Sequence, residues 1–247
     1  MLKTTDQTFL HITEKNEARM FSGFTKYVSL AILAIFSVVG PALASPVSQP
    51  TIDNPCRITS SAPPEYLSLQ QEITLTLNVL ETLRSSCEDG VTTMTYENLL
   101  TNDEIAPLLS NPMYNLQGLP FLPANRSISE ENMARILLKD YHDVSVFTVF
   151  AQQVYDEEDG NEVLKADLLK VKHYFYSALC KLDTILGSIN NPVSDFVSSD
   201  VMPDTLKNIT SDKYRYMRAF LLLNSAMKHI EVLHKDYENL QENVSTA

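Results

Sequence analysis

Histidine is the most versatile catalytic side chain, and the spacing of the histidines in this chain argues against catalysis. Four of them follow an apolar N-terminal segment, at His142, His173, His229 and His234. His229 and His234 are five residues apart, whereas two metal ligands on one face of a helix are three or four residues apart. His142 and His173 are isolated. We therefore expect structural or surface roles for all four, and no metal site.

Other catalytic motifs are also missing from the sequence. No His-Glu-x-x-His pair, phosphate-binding glycine loop or nucleophile elbow occurs, and the whole chain contains six glycines. The acidic run Asp156–Asp159 lacks the ligand spacing of a calcium loop and is interpreted as a solvated turn. The sequence thus predicts a protein that is not an enzyme, needs no cofactor and has no small-molecule substrate.

The charge of the chain restricts its partners. It carries 19 basic and 31 acidic residues, which gives a net charge of −12. Proteins that bind nucleic acid or anionic lipid present an excess of lysine and arginine. We therefore predict no nucleic-acid partner and no membrane contact for the mature form, and expect a partner protein that is neutral or basic.

The N-terminal region has the pattern of an export signal. Tyr27–Gly40 is almost wholly apolar, Lys26 precedes it, and Ala42-Leu43-Ala44 has the small-x-small pattern of a signal-peptidase site. The apolar run is too short to span a bilayer, although a retained signal anchor is the alternative. Translation could begin at Met20 as well as at Met1. The predicted organisation is a signal peptide over 1–44, a flexible lead-in over 45–63, a folded domain over 64–242 and a tail over 243–247.

Glycosylation sequons agree with secretion to the extracellular space. An Asn-x-Ser/Thr triplet is the acceptor for N-linked glycans in exported proteins. Three such triplets follow the signal segment, and none interrupts the middle of a periodic apolar stretch. We predict N-glycosylation at Asn125, Asn208 and Asn243.

Apolar residues recur every three or four positions over four long stretches, which is the period of an amphipathic helix. In the first stretch Ile73, Leu75, Leu77 and Val79 also alternate with polar residues, as in a strand, but the run is too long for a strand. Glu88-Asp89-Gly90 is expected to end this helix, and Ser127 or Ser129 to cap the second. The four predicted helices are Pro64–Glu88, Ser129–Glu158, Asn161–Ile189 and Ser211–Glu242.

The lengths of the connections predict the directions of these helices. The first and third connections are long, and the first has room for a short helix around Tyr96–Leu109, whereas the second is a tight turn. A long connection can cross the full height of a bundle, while a tight turn reverses the chain. We therefore predict an all-α four-helix bundle with up-up-down-down directions.

This layout also favours one cysteine pair. All three cysteines lie in the exported part, where disulfides persist, and an odd number leaves one unpaired. Cys56 and Cys180 both fall near one end of the predicted bundle, whereas Cys87 lies a full helix away from Cys56. We predict a Cys56–Cys180 disulfide, with Cys87 free or paired with another molecule.

Several motifs resemble a known family. The third helix ends with Leu186-Gly187-Ser188-Ile189, and the second contains Leu138-x-x-Tyr141-x-x-Val144-x-Val146-Phe147. The last helix contains Met217-Arg218-Ala219-Phe220-Leu221-Leu222-Leu223 and Lys235-Asp236-Tyr237-Glu238-Asn239-Leu240. Together they are similar to the interleukin-6-type cytokines, in the branch of ciliary neurotrophic factor, cardiotrophin-like cytokine and leukaemia inhibitory factor.

The resemblance implies a long-chain cytokine fold and a secreted cytokine that binds and clusters cell-surface receptors of the glycoprotein-130 or leukaemia-inhibitory-factor-receptor type. The Phe-x-x-Lys motif of the latter branch is not kept, because the aligned positions hold Lys213 and Tyr216. A secreted helical-bundle inhibitor or a lipid carrier is the alternative function, and a secreted enzyme has no supporting motif.

Two receptor-binding surfaces are expected. A basic and aromatic group opens the last helix, and aromatic and arginine side chains are typical interface anchors. It comprises Lys213, Tyr214, Arg215, Tyr216, Met217 and Arg218. The family also uses the outward faces of its first and third helices, which here carry Gln70, Gln71, Thr74, Asn78, Lys165, Lys172 and Tyr176.

Overall fold

The computed structural model describes most of the chain after the lead-in: residues 56, 67–110, 116–121, 123, 126, 128–129, 131–193 and 196–246. Several expectations concern residues outside this set. They are the signal peptide over 1–44, most of the lead-in over 45–63, the sequon at Asn125 and the capping role of Ser127.

The described residues form α-helices and no strands, which confirms the all-α class. The four long helices overlap the four predicted ones, although the first begins at Leu69 and not at Pro64, because Ser68 is its N-cap. The short helix overlaps the one expected around Tyr96–Leu109, but it begins at Asn102, and Tyr96 belongs to the first long helix. The helices are α1 (Leu69–Tyr96), α2 (Asn102–Ser110), α3 (Met133–Glu157), α4 (Glu162–Ser188) and α5 (Asp212–Thr246), with 3₁₀ turns at Ser199–Val201 and Asp204–Leu206 before α5. No described helix has a stretch that is both long and apolar enough to cross a membrane.

Side-chain caps explain where two of the helices begin. Ser68 and Gln71 form a reciprocal capping box at the start of α1, in which each side chain accepts from the other residue's backbone N–H. Asn161 caps α4 by accepting from Leu164 N at 2.8 Å. The start of α3 differs from prediction. The helix begins at Met133, because Ser129 N donates to the Asn132 side chain and that segment forms a turn.

α1 continues past the acidic and glycine residues that were expected to end it. It runs through Gly90 to Tyr96, so the predicted end at Glu88 is wrong. Gly90 is buried, and a Cβ atom built on it would lie 2.8 Å from Leu223 Cδ1 on α5. The glycine therefore allows two helices to approach closely, a role that tertiary packing assigns and local propensity does not.

Two glycines inside helices should respond oppositely to the same substitution. Gly90→Ala is expected to lower the free energy of unfolding by about 1–2 kcal/mol, because overpacking against Leu223 outweighs the gain in helix propensity. Gly187, in the last turn of α4, has nothing within 4 Å of a built Cβ atom. Gly187→Ala should therefore raise the free energy of unfolding by about 0.5–1 kcal/mol. Urea denaturation of both variants checks the pair, and equal signs would contradict the packing role of Gly90.

The core lies among the four long helices. α1 packs against α4 and α5, and α3 packs against the same two helices. α3 is the most enclosed of them, since every residue from Asp143 to Ala151 is buried. The 3₁₀ turn at Ser199–Val201 packs on α3 from outside the core. Gly118, in the first connection, also approaches α3, because its built Cβ atom would lie 3.3 Å from Phe150 Cζ. A helix buried on all sides needs such covering segments.

One set of contacts joins the end of α1 and the end of α3 to the starts of α4 and α5. Thr93 Oγ1 donates to Asp167 Oδ2 at 2.6 Å, which connects α1 to α4. Arg218 Nη1 lies 2.7 Å from Glu157 Oε2, which connects α5 to α3. We call the region of these four residues the upper end.

A second set of contacts joins the opposite ends of the same helices. Gln241 Nε2 donates to Thr74 Oγ1 at 2.6 Å, which connects the last part of α5 to the first part of α1. Tyr237 Oη donates to Asp140 Oδ2 at 3.2 Å, which connects α5 to the first part of α3. We call the region of these four residues the lower end.

The structure contains the predicted cysteine pair. Cys56 and Cys180 are disulfide-bonded, with their Cα atoms 5.0 Å apart, whereas Cys87 is a buried thiol. The bond joins residues that are 124 positions apart in the sequence. It therefore ties the segment before α1 to the second half of α4.

The last helix is longer than expected. α5 reaches Thr246, whereas the predicted end was Glu242. The segment 243–246, expected to be a tail, thus continues the helix, and the predicted glycan acceptor Asn243 is an exposed residue in its final turns. The predicted acceptor Asn208 lies in the connection before α5, where it is exposed and has a φ of 56°.

Candidate functional site

Four exposed apolar side chains lie on helices that meet at the upper end. Tyr96 is the last residue of α1, Leu109 belongs to α2, Val163 lies in the first turn of α4 and Tyr214 lies in the first turn of α5. Their exposed fractions are 81, 53, 52 and 45% respectively. We call these four residues the upper apolar group. Exposed aromatic residues rimmed by polar ones are typical of protein interaction sites.

An ion pair holds α2 beside the start of α5. Lys213 Nζ contacts Glu104 Oε1, so the first turn of α5 and the first turn of α2 lie together. Thr101 also donates to Glu104 through its backbone N–H and its hydroxyl. These hydrogen bonds, with the one from Lys213 the strongest, lower the pKa of Glu104 to about 2. Tyr214 therefore projects from a turn that α2 supports.

The six residues expected to bind a receptor at the start of α5 have different environments. Lys213 and Tyr214 are exposed, and Met217 is partly buried. The other three are buried: Arg215, Tyr216 and Arg218. The surface presented by this turn is therefore much less basic than the sequence suggested, since only one of its three cations reaches solvent.

Arg218, which is buried, and Glu157, which is partly buried, link α3 to α5 and to the connection before it. Arg218 Nη1 donates to Glu157 Oε2 at 2.7 Å and to the Leu206 carbonyl at 2.5 Å. Glu157 also accepts from the backbone N–H of Asn208 at 2.7 Å. Burial raises the pKa of Glu157, but hydrogen bonds from Asn208, Gln153 and Arg218 outweigh it and leave the pKa below its usual value. The carboxylate is thus ionised and organises the connection around it.

Arg215 forms a second tie at the same end. Its Nη2 lies 2.7 Å from Asp159 Oδ1 and 2.8 Å from Asp212 Oδ1. Asp159 belongs to the turn between α3 and α4, where a Cβ atom on Gly160 would lie 2.9 Å from Tyr216 Oη. The turn and the first turn of α5 are therefore in close contact, and Arg215 fixes their relative position.

The residues expected to form a second surface lie in two separate places. On α4, Lys172 Nζ lies 3.9 Å from the centroid of the Tyr155 ring, and Tyr176 Oη donates to Gln152 Oε1 at 3.4 Å. These residues therefore face α3. Lys165 also lies over the Tyr155 ring, with its Nζ 5.8 Å from the centroid.

On α1, one of the expected residues contacts a different helix. Thr74 accepts from Gln241 on α5, and Gln70, Gln71 and Asn78 are exposed on the same helix. The structure thus places Thr74 beside α5 and Lys172 and Tyr176 beside α3. Each half is a separate candidate contact.

A buried charge cluster at the lower end was not anticipated from the sequence. Arg126 Nη1 lies 2.5 Å from Asp140 Oδ1, and its Nη2 lies 2.6 Å from Asp236 Oδ2. Asp140 is fully buried, and burial raises its pKa despite the hydrogen bonds from Arg126 and Tyr237. In the sequence, both carboxylates fall on the apolar faces of their helices, and this position could have indicated that they are buried. Their partner could not be identified because it comes from a long connection.

His229 is a core residue of α5. It is 5% exposed, its ring centroid lies 4.8 Å from that of Phe147, and neither ring nitrogen has a hydrogen-bond partner among the described residues. Burial, with smaller effects from Arg126 and Lys139, lowers its pKa to about 3. The ring is therefore neutral and fills space in the interface between α3 and α5.

His229 should make stability depend on pH. A histidine in the unfolded chain has a pKa of about 6.5, so between that value and about 3 the unfolded chain binds a proton that the folded protein does not. Stability is complete above this window and decreases as the pH falls through it. We expect a loss of about 2 kcal/mol between about pH 7.5 and about pH 5. Chemical denaturation at both values checks this, and His229→Leu should remove most of the difference; an unchanged slope would contradict it.

Comparison with known proteins does not assign this chain to a family. No protein-family model, curated protein or solved structure matches it. The described residues also contain no group of three side chains that could hold a metal ion.

Proposed function

We propose that this protein is a secreted helical cytokine that binds and clusters cell-surface receptors of the glycoprotein-130 or leukaemia-inhibitory-factor-receptor type. The observation that carries the proposal is the upper apolar group, in which Tyr96 and Tyr214 are exposed at one end of an all-helical protein. Exposed aromatic residues contribute strongly to binding because they bury a large area at low entropic cost.

The proposal includes an up-up-down-down four-helix bundle. Contacts at the upper end, between Thr93 and Asp167 and between Glu157 and Arg218, support antiparallel α1–α4 and α3–α5 pairs. Contacts at the lower end support an antiparallel α1–α5 pair. If α1 and α3 both oppose α4 and α5, the first two run in one direction and the last two in the other. The long connections before α3 and before α5 fit that arrangement.

Clustering of receptors needs at least two separate surfaces. The first would centre on Lys213 and Tyr214, with the rest of the upper apolar group around them. Arg215, Tyr216 and Arg218 would support this surface from beneath, because they are buried against the neighbouring turn and connection. The second would lie on the side of the bundle, where Lys165, Lys172 and Tyr176 flank α3 or where Gln70, Gln71, Thr74 and Asn78 flank α5.

Secretion is part of the proposal, and the Cys56–Cys180 bond is compatible with it. Disulfides persist in oxidising compartments and are rare in the cytosol. The bond crosses 124 positions of the sequence, so it would stabilise the domain after export. Expression in cultured animal cells, with mass measurement of the mature N-terminus and of glycans at Asn208 and Asn243, would examine this part of the proposal directly.

Loss of Tyr214 should weaken receptor binding. We expect Tyr214→Ala to lower the affinity for at least one receptor ectodomain tenfold or more, because truncation of an aromatic anchor typically costs about 2 kcal/mol. Surface plasmon resonance against the glycoprotein-130, leukaemia-inhibitory-factor-receptor and ciliary-neurotrophic-factor-receptor ectodomains measures this.

A matched control tests whether the loss of any exposed apolar side chain would weaken binding. Leu138 is an exposed apolar residue in α3, toward the lower end, and Leu138→Ala should change the affinity less than twofold. Arg218→Ala is unsuitable, since it would break a buried ion pair and disturb folding. Absence of binding to every ectodomain would refute the proposed function.

A further inference from the structure

Exposed carboxylates lie on the same helices as the upper apolar group, or next to them in the sequence. Glu97 follows the end of α1, Asp103 lies in the first turn of α2 and Glu162 in the first turn of α4, and all three are exposed. None of the three forms an ion pair with another described residue. Asp159 and Asp212 are also open to solvent, with side chains 75 and 68% exposed. The rim of the upper end is therefore acidic.

Most cations at this end contact carboxylates within the protein. The side chains of Arg215 and Arg218 are 10 and 2% exposed and are paired with Asp159, Asp212 and Glu157. Lys213 and Lys170 are exposed but already contact Glu104 and Asp167. Lys165 has no carboxylate partner among the described residues, and its Nζ lies 5.8 Å from the centroid of the Tyr155 ring. Among the described residues of this end, the exposed carboxylates without an ion pair therefore outnumber the lysines without one.

Helix electrostatics explains most of these carboxylates, but not Glu97. Asp103, Glu162 and Asp212 lie in first turns, where the positive end of the helix dipole favours an acid. Glu97 occupies the C-cap position of α1, where the dipole disfavours an acid and favours a base. The last turn of α1 also contains no basic residue to offset it. The Glu97 side chain is thus exposed, without an ion-pair partner in the part of the chain that the structure describes, at a position where local electrostatics opposes a negative charge.

We propose that the upper end docks on a receptor surface with an apolar centre and a rim of lysine and arginine. This inference rests on the proposed function and states the chemistry of the partner. The apolar centre would bury Tyr96 and Tyr214, and the basic rim would face Glu97, Asp103 and Glu162. Complementary charge accelerates association and selects among similar partners, whereas apolar contacts supply most of the affinity.

Reversal of one charge tests the inference. Glu97→Lys is expected to slow association with the bound ectodomain about threefold to tenfold at low ionic strength, and the difference should shrink as salt is added. The same variant should unfold at a slightly higher temperature than the wild type, because lysine suits the C-terminus of a helix. A slower association in a protein that is not destabilised cannot be attributed to misfolding.

The control places the same charge change at the opposite end. Glu131 is exposed, precedes α3 near the lower end and forms no ion pair with a described residue. Glu131→Lys should leave the association rate within about 1.5-fold of the wild type. Equal rates for wild type and Glu97→Lys, or equal slowing by both variants, would overturn the inference while leaving the proposed function intact. Failure of the wild type to bind any of the three ectodomains would overturn both.

Discussion

Arg126→Met is expected to lower the free energy of unfolding by about 3–5 kcal/mol, because it leaves two buried carboxylates without their cation. Asp140 is fully buried and Asp236 is 4% exposed, so water cannot replace the guanidinium. Arg126 comes from the connection between α2 and α3, and its loss also releases that segment from the interface between α3 and α5. Urea denaturation followed by circular dichroism measures the change.

The effect of this substitution should depend on pH in a defined direction. Burial already raises the pKa of Asp140, and removal of Arg126 takes away the interactions that oppose that rise. A carboxylate with a raised folded-state pKa is destabilising once it ionises, and this cost disappears when it is protonated. The deficit of Arg126→Met should therefore be largest near neutral pH and smaller near about pH 4.

An exposed arginine on α3 supplies the matched control. Arg135 is exposed and forms no ion pair within the described part of the chain. Arg135→Met should change the free energy of unfolding by less than about 0.5 kcal/mol, which is typical of surface substitutions. If the two variants were equally stable, the buried cluster would have no role in holding the first connection.

Removal of the disulfide is expected to have an effect of similar size. The double variant Cys56→Ser/Cys180→Ser should lose about 4–5 kcal/mol, because the bond closes a long loop and so restricts the unfolded chain. The two cysteines are 124 residues apart in the sequence, and a loop of this length predicts one of the larger stabilisations expected for a single disulfide. Denaturation of the oxidised wild type and of the variant, under the same conditions, gives the difference.

Reduction of the wild type serves as the control for this experiment. Dithiothreitol-treated wild type should match the double variant, since both lack the bond. Cys87 should remain unmodified by iodoacetamide in the folded protein, because its side chain is fully buried and burial raises the pKa of its thiol well above the usual range. A difference of less than about 1 kcal/mol between oxidised and reduced wild type would contradict the expected stabilisation.

The helices were predictable because their signals are local. The three- and four-residue recurrence of apolar side chains places all four long helices, and Asn161 marks the start of α4 by a capping interaction within one turn. The end of α1 was not predictable in the same way. Gly90 disfavours a helix locally, but its packing against Leu223 on α5 stabilises the helical conformation. That contact joins distant parts of the chain, so no local pattern predicts it.

The candidate site was only partly predictable. Tyr214 and Lys213 were expected at a surface and are exposed. The burial of Arg218 depends on Glu157, which is 61 positions earlier in the sequence, and no local pattern connects the two. Tyr96 was expected only to begin a short helix, and its 81% exposure follows from its position at the end of α1.

The amino-acid sequence by itself determined that this protein is helical, strongly acidic and poor in catalytic motifs, because periodicity, charge and composition act within short segments or as simple totals. Only the tertiary structure decided which charges reach solvent. Arg126, Arg215 and Arg218 look alike in the sequence, yet each is withdrawn from the surface by carboxylates that folding brings to it. Burying a charge is costly unless a partner is within hydrogen-bonding distance, and only the folded arrangement of distant segments supplies that partner.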